Sequence, residues 1–429
     1  MKLGLENIRT LLKALGDPQK KFLKVQVAGT NGKGSVCAFL DSICLHAGIK
    51  TGLYTSPHLI SITERIKIDG QDISEGDFVR HATRVRETAE RLLEDGQLGY
   101  RPTFFEQVTA IALIAFAEAK VELAILETGL GGRLDATTAA NAEIAAITAI
   151  DIDHQEYLGE TLAEIAAEKA AIIHAGSKVI IAEQKEEAMQ VIKAVCANFG
   201  VSPKLAQHVT AVPIGGNTTG RECVDFGKQE TPSLPVVFPP RYQNVCLGLL
   251  GRHQIENAKV AILISETLQE HFRIITENII QGLENASHPG RLEFNGGFLF
   301  DGAHNAAGAR ALKEFLTQNV KKPIVMIFGL MKDKDISGIA ETLFPLAETL
   351  ILTQSANSRS MTAAEIAEYA GNQKDVILTE SVIEAIDEAQ ARSGNENLTL
   401  VTGSLYLVGE VQKNLTSRLL GIRLCENTI

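Results

Sequence analysis

The stretch from Phe22 to Ser35, FLKVQVAGTNGKGS, constrains the chain more than any other. An alternating apolar run ending at Val27-Ala28 predicts a buried strand, and Gly29, Gly32 and Gly34 predict a loop that passes close to a ligand. From Lys33 to about His46 the pattern predicts a helix. A strand, a glycine loop and a helix in that order hold phosphate, because N–H groups of the first helical turn lack partners inside the helix and the helix dipole favours negative charge there. Lys33 adds a positive charge and Ser35 a hydroxyl, separated by Gly34 where the Walker form has the two adjacent. The plain alternative is a glycine turn ahead of an ordinary helix.

A chain of 429 residues exceeds what one hydrophobic core organises, so two domains are expected, and an apolar fraction of 45% makes both globular. MKLGLENIRTLL has helical spacing instead of the continuous apolar core of a signal sequence, and the run around Val108 to Ala117 is too short to span a bilayer. A cytoplasmic chain without membrane contact is therefore expected. The six cysteines, at 37, 44, 196, 223, 246 and 425, show no paired spacing and are expected to be free buried thiols in a reducing compartment. A net charge of −11 argues against a nucleic-acid groove. It does not argue against a small anionic substrate, since charges beyond about 8 Å are mostly screened.

Further along, Lys50 to Tyr54 reads as a second strand, and Ser56, Pro57 and His58 lie just past its end, where open α/β sheets place ligands. Helices over Phe78–Glu94 and Phe104–Ala119 follow Ser74/Asp77 and Thr103/Glu106, both readable as capping boxes. Phe104 and Phe105 either start that second helix or line a pocket for a flat aromatic ligand. The strand Val121–Glu127 ends in a carboxylate before the glycine loop TGLGGRLDATT, which makes Glu127 a candidate to bind Mg²⁺ directly or through water. Glu143 to Ile150 is another strand, and Asp151, Asp153 and His154 beyond it suit a metal or phosphate. The helix Thr161–Ala175 carries Lys169, by spacing a solvated lysine, because neither Glu164 nor Glu168 lies three or four residues away. A strand over Lys178–Ala182 and a helix over Lys185–Phe199 follow.

Residues 201–247 break into short apolar pieces that predict a small antiparallel insertion, and the helix His253–His271 carries Asn257. A boundary is expected around Ser287 to Pro289. Beyond it a hairpin over Arg291–Phe300 runs into DGAHN, and strands at Pro323–Phe328, Thr349–Thr353, Val376–Leu378 and Leu398–Thr402 alternate with helices. The expected fold class is α/β. A P-loop NTPase-like N-terminal domain with a mostly parallel sheet covers residues 1–287, and a smaller Rossmann-like C-terminal domain without a phosphate loop covers 288–429.

GTNGKGS, YTSPHLISITERIKIDG, ETGLGGRLDATT, IDIDHQEYLGETLAEIAAEKA, HPGRLEF and DGAHN, in that order over nearly the whole chain, resemble the folylpolyglutamate synthases and dihydrofolate synthases. These are a branch of the Mur ligase superfamily of ATP-dependent amide ligases. The resemblance implies that ATP phosphorylates a carboxylate, the amine of L-glutamate attacks the acyl phosphate, and ADP and phosphate leave. It assigns ATP to Asn31, Gly32, Lys33, Gly34, Ser35, Asn257, Arg291 and Asp301, and Mg²⁺ to Ser56, Glu127 and His154. Lys169 joins the metal set when carbamylated, a change that requires a neutral amine and hence a lowered pKa. Lys33, Lys169 and His304 take catalytic roles, with His304 and Ser404 holding the incoming glutamate. Thr103, Phe104, Phe105, Glu106, Leu134, Asp135 and Ala136 match the positions that bind folate or dihydropteroate.

The chain departs from the family pattern at Thr138, where DATN is usual, at Ala171, where EKAG is usual, and at His174, where lysine is common. The implied partners are small molecules only, bound by a monomer whose second domain closes over the first. Competing readings are a member with only one of the two activities and a cell-wall Mur ligase, although a phosphate loop starting at Gly29 leaves no room for a preceding nucleotide-sugar domain. A P-loop kinase or regulatory NTPase leaves SPHL and DGAHN unexplained. A module that binds without turnover is disfavoured by the presence of every ionisable residue of the proposed site.

Overall fold

A computed structural model describes residues 4–216, 221–228, 241–371, 373, 375–392 and 396–419. The chain forms two compact units, the first comprising Met1–Pro57, Ile62–Gly248 and His253–Ser287, the second His58–Ser61, Leu249–Arg252 and His288–Ile429.

The first unit runs α1 (Glu6–Ala14), β1 (Leu23–Ala28), α2 (Lys33–His46), β2 (Thr51–Tyr54), β3 (Ile66–Ile68), β4 (Gln71–Asp72), α3 (Glu75–Glu94) and α4 (Phe104–Ala119). It continues with β5 (Leu123–Glu127), β6 (Ile144–Ile147), α5 (Gln155–Leu158), α6 (Leu162–Ala170), β7 (Lys178–Ile181), α7 (Glu186–Asn198) and β8 (Lys204–Leu205). Among the described residues these strands form one sheet in the order β4-β3-β2-β5-β1-β6-β7-β8. β1 pairs in parallel with β5 on one side and β6 on the other, opposing Val27 to Glu127 and Ala28 to Ile147. That register brings the carboxyl ends of three strands, and so the phosphate-loop segment and Glu127, to one rim.

A central strand buries both faces, so its polar residues need partners. The buried Lys24 ammonium donates to Glu143 at 2.9 Å and to the Gln19 and Phe22 carbonyls. Buried Gln26 donates to the hydroxyls of Thr128, Thr137 and Thr138 at 3.2, 2.9 and 2.9 Å. The strands β3 and β4, an antiparallel edge, were not apparent in the sequence because each is only two or three residues long.

The insertion is a three-stranded antiparallel sheet of β9 (Val209–Gly216), β10 (Glu222–Lys228) and β11 (Tyr242–Cys246). The expectation of free thiols is corrected here. Cys223 and Cys246 form a disulfide, because the β10–β11 register sets them directly opposite across 23 residues of sequence, with Cα atoms 4.0 Å apart. Such a pairing follows from strand register and is invisible in cysteine spacing. Cys37, Cys44 and Cys196 are free and buried, and Cys425 lies outside the described residues.

The unit closes with α8 (His253–Leu268) and α9 (Thr276–Asn285), both packed along α2. The helix α9 was not among the expected elements, and it carries a glycine in its middle. That glycine lets two helices meet, for a Cβ on Gly282 would overlap the backbone of Ile43 in α2.

The second unit runs β12 (Glu293–Asn295), β13 (Phe298–Asp301), α10 (Ala306–Asn319), β14 (Ile324–Phe328), α11 (Ile336–Leu343), β15 (Thr349–Leu352), α12 (Ala363–Ala367), β16 (Val376–Leu378), α13 (Val382–Arg392), β17 (Leu398–Thr402) and α14 (Leu405–Leu419). Its sheet order is β12-β13-β17-β14-β15-β16, parallel except for β12. Alternate residues of the strands feed separate cores on its two faces, Met326 and Leu400 on one, Ile327 and Val401 on the other. The helix α11, capped by Asp335, lay hidden behind the charged run MKDKD. Among the described residues no helix is long and apolar enough to cross a membrane.

Because Gly282 has no room for a side chain, Gly282→Ala is expected to lower unfolding free energy in urea by about 1–3 kcal/mol, the usual cost of overpacking. A variant as stable as the parent would mean that α9 does not seat on α2.

Candidate active site

The phosphate loop joins β1 to α2, and the helix begins at Lys33 as its apolar pattern requires. Gly32 caps it with a φ of 88°. A Cβ there would strike the side-chain oxygen of Asn257 on α8, so the expected nucleotide residue Asn257 lies directly against the loop. Its amide donates to Gln254 at 2.8 Å. Thr30 and Asn31 donate their backbone N–H groups to the Ala149 carbonyl at 3.0 and 3.1 Å. The Thr30 hydroxyl donates to the Asp151 carbonyl at 3.0 Å. The loop is thereby tied to the segment that follows β6 and leads to Asp153 and His154. Ser35 is buried in the first turn of α2, next to Gly34.

Lys33 curls back over the loop, its Nζ donating to the Gly29 and Thr30 carbonyls at 3.0 and 3.1 Å. Lys169 reaches the same Gly29 oxygen from α6 at 2.9 Å. The solvated lysine that helix spacing suggested is therefore corrected: Lys169 is buried. Its pKa is pushed down to about 7, first by burial, then by the charge of Lys33, with Asp153, Asp135 and Glu168 pulling the other way. It is thus a lysine that is partly neutral near neutral pH, the condition carbamylation needs.

Glu127 is buried at the end of β5 and accepts the Ser56 backbone N–H at 3.0 Å, which draws Ser56 and Glu127 together past the ends of adjacent strands. The Ser56-Pro57 peptide is cis. His154 caps α5 from the left-handed region and stands 3.9 Å from Asp153. Among the described residues no three His, Cys, Asp or Glu side chains converge as a closed metal cage. Mg²⁺ does not require one. It binds through one or two carboxylates while keeping waters and substrate phosphates, so a single buried carboxylate with a neighbouring hydroxyl beside a phosphate loop fits it.

Of the residues expected to bind the pterin, Thr103 and Glu106 form a full capping box, one Glu106 oxygen accepting the Thr103 N–H and hydroxyl. The other Glu106 oxygen, Oε1, is buried without a hydrogen-bond partner among the described residues. Phe105 packs 6.0 Å from the Tyr54 ring, and Phe104 stays 56% exposed with the Arg65 guanidinium 5.5 Å above it. Arg65 was missed in the sequence, where it is one charge among several in ITERIKI. Buried, and hydrogen-bonded to the Tyr54 hydroxyl, it borders the same aromatic cluster. Asp135 is committed to its own loop, accepting the N–H groups of Gly129, Leu130 and Thr137 and the Thr137 hydroxyl. Burial pushes its pKa up against those bonds. Ala136 is buried and Leu134 half-buried.

In the second unit, Asp301 ends β13 and accepts the Leu292 and Ala303 N–H groups at 3.0 and 2.9 Å. Burial raises its pKa and Arg291 opposes that. Arg291 donates to the Gly302 carbonyl at 3.2 Å, and the His304 Nδ1 lies 2.7 Å from the same oxygen. A carbonyl only accepts, so Nδ1 carries a proton and neutral His304 has its lone pair on Nε2. Ser404 is buried past the end of β17, its hydroxyl accepting the Tyr406 N–H at 3.1 Å. Asp301 and His304 thus lie at and just past the end of β13, Ser404 just past the end of its neighbour β17, and Arg291, which precedes β12, reaches the same end through Gly302.

Comparison with known proteins finds relatives over nearly the whole chain. Residues 27–265 match the Mur ligase middle domain, and residues 290–405 match the Mur ligase glutamate ligase domain. The dihydrofolate synthase/folylpolyglutamate synthase of Bacillus subtilis (strain 168) is 33% identical over 428 residues, covering 97% of this chain and 95% of its own. Escherichia coli FolC in complex with DHPP and ADP superposes with a TM-score of 0.84 at 28% identity, over 98% of this chain and 94% of that one. A bifunctional folylpolyglutamate synthase/dihydrofolate synthase with Mn, AMPPNP and L-glutamate bound superposes with a TM-score of 0.81 at 30% identity, over 97% and 95%.

Lys169 holds a proton less readily in the folded chain than in the unfolded one. The unfolded state therefore binds more protons between about pH 7 and the ordinary lysine value, and stability rises with pH across that window. Lys169→Met removes the penalty. In CO₂-free buffer the variant is expected to exceed the parent in stability at about pH 6, with the gap closing steadily from about pH 7 toward pH 10. A gap that does not change with pH in urea titrations would refute the buried-amine assignment.

Proposed function

This chain belongs to the folylpolyglutamate synthase and dihydrofolate synthase family of Mur ligases, and from that premise we propose that it adds L-glutamate to folates, and to dihydropteroate, as an ATP-dependent, ADP-forming ligase. The observation that carries the reading is the convergence of Lys33 and Lys169 on the Gly29 carbonyl beside a buried carboxylate, Glu127, at the rim of the same sheet.

The acceptor carboxylate attacks the γ-phosphorus of ATP. The bond to the bridging oxygen breaks, and ADP leaves with that electron pair. Phosphoryl transfer of this kind depends on positioning and on neutralising charge, and Lys33 supplies a cation at the loop that cradles the phosphates. Glu127, His154, Ser56 and, as its carbamate, Lys169 would hold Mg²⁺, which would supply further neutralisation of the phosphate oxygens. The glutamate amine then attacks the acyl carbon, phosphate leaves with the C–O electron pair, and the amine gives up a proton to the departing phosphate. His304, with the lone pair on Nε2, and Ser404 orient that amine. Phe104, Phe105, Glu106 and Leu134 take the pterin and benzoyl rings, the unpartnered Glu106 oxygen accepting from a pterin N–H. A cytoplasmic monomer acting on small molecules alone is the setting consistent with these substrates.

The deciding assay is phosphate release from MgATP with dihydropteroate, dihydrofolate and tetrahydrofolate in turn, each with and without L-glutamate. Release that needs both acceptor and glutamate is expected, and its abolition in Lys33→Ala. No stimulation by any acceptor would sink the ligase reading, and stimulation by only one class would restrict the activity to first-glutamate addition or to chain extension.

A further inference from the structure

Arg133, in the loop between β5 and β6, grips Glu168 twice. Its backbone N–H donates to the Glu168 carbonyl at 2.9 Å, and its Nε donates to the Glu168 carboxylate at 2.8 Å. The neighbouring Gly132 comes so close to α6 that a Cβ there would stand 2.7 Å from the Glu168 carbonyl oxygen and 2.9 Å from that of Lys169. These carbonyls lie in the last turn of α6, where the Lys169 carbonyl accepts the Ile172 N–H at 3.5 Å and the Glu168 carbonyl takes its donor from the loop, which fixes the helix end. The loop itself is anchored. The Thr138 hydroxyl donates to the Gly132 carbonyl at 2.7 Å and accepts from Gln26 of β1 at 2.9 Å. A continuous set of bonds therefore runs from the strand that carries the phosphate loop, through Thr138, Gly132 and Arg133, to Glu168 and so to the residue beside it, Lys169.

We propose that Arg133 is a positioning residue, which by holding Glu168 sets where α6 delivers the Lys169 side chain against the phosphate loop. The inference rests on the role given to Lys169 above. An exposed ion pair contributes little to stability, and the Arg133 side chain is 58% exposed, so the grip has little value as a fold-stabilising contact. Its value lies in placement. A misplacement of about 1 Å at a reacting group costs on the order of a hundredfold in rate, and α6, nine residues long, has its lysine in the final turn.

The test compares Arg133→Ala, Arg133→Lys, the exchange Arg133→Glu/Glu168→Arg and Lys169→Ala in the phosphate-release assay, with urea stability measured for each. Arg133→Ala is expected to lower kcat at least about tenfold while KM for ATP stays within about twofold and stability stays near the parent. The exchange, which restores an ion pair in reverse, is expected to recover most of that loss, and Arg133→Lys part of it. Parental kcat in Arg133→Ala with Lys169→Ala inactive would overturn the positioning role alone. An exchange variant as slow as Arg133→Ala, though folded, would overturn it too. An active Lys169→Ala would overturn the role of Lys169 and this one with it.

Discussion

One carbonyl oxygen organises the nucleotide end of this molecule. Gly29 O accepts from the ammonium groups of both Lys33 and Lys169, so the two nitrogens are no more than about 6 Å apart. Like charges at that separation repel by about 3 kcal/mol at an effective dielectric of about 20. Burial on α6 lets one of them escape the conflict, since a desolvated amine next to a cation gives up its proton readily. Anything negative arriving at the loop relieves the same repulsion, whether a phosphate that attracts Lys33 or an anion formed on Lys169. The oxygen thus couples any anion at the loop to the protonation of Lys169. It also explains how a chain with a net charge of −11 presents a cationic site: the local pair decides, and distant carboxylates are screened.

That pairing depends on the sheet. Only a central parallel strand flanked by β5 and β6 places the end of β1 beside Glu127 and the Thr148–Asp151 segment together. Thr148 donates its N–H to the Ala28 carbonyl, Ala149 receives the Thr30 and Asn31 N–H groups, and Gln184 brackets the segment by donating to Thr148 and accepting from Ile150. The same rim that shapes the phosphate loop therefore fixes the approach to His154, so that the geometry of the loop and that of the proposed metal side are not independent.

Much of this was legible in the residues. The strand, glycine loop and helix around Gly29 announce themselves by order, and the helix begins at Lys33 as its pattern requires. The capping boxes at Thr103 and the hairpin before DGAHN follow from local chemistry as well. What stayed hidden depended on distance in sequence. The disulfide needed the β10–β11 register, the burial of Lys169 needed the fold around α6, and the place of Arg65 over Phe104 needed β3 to pair with β2. Helix α9 carries Gly282 in its middle, and its tertiary packing on α2 outweighs the helix-propensity cost of that glycine.

The departures from the family pattern show the same principle from the other side. Thr138 replaces an asparagine, yet its hydroxyl accepts from Gln26 and donates to Gly132, so a shorter side chain keeps both an acceptor and a donor because a long one on β1 reaches out to meet it. Ala171 replaces a glycine at the end of α6, where φ is −66°, a conformation that asks nothing of glycine. His174 places its two ring nitrogens 3.1 and 2.8 Å from the Ala175 and Ala142 carbonyls, tying the turn after α6 to the segment before β6. Each change thus falls on the support of the Lys169 helix or of the glycine loop against it, and each leaves that support intact. A motif read letter by letter marks these positions as defects. The hydrogen bonds of Thr138 and His174 and the ordinary φ of Ala171 show instead that each residue fits its local structure around α6 and the glycine loop.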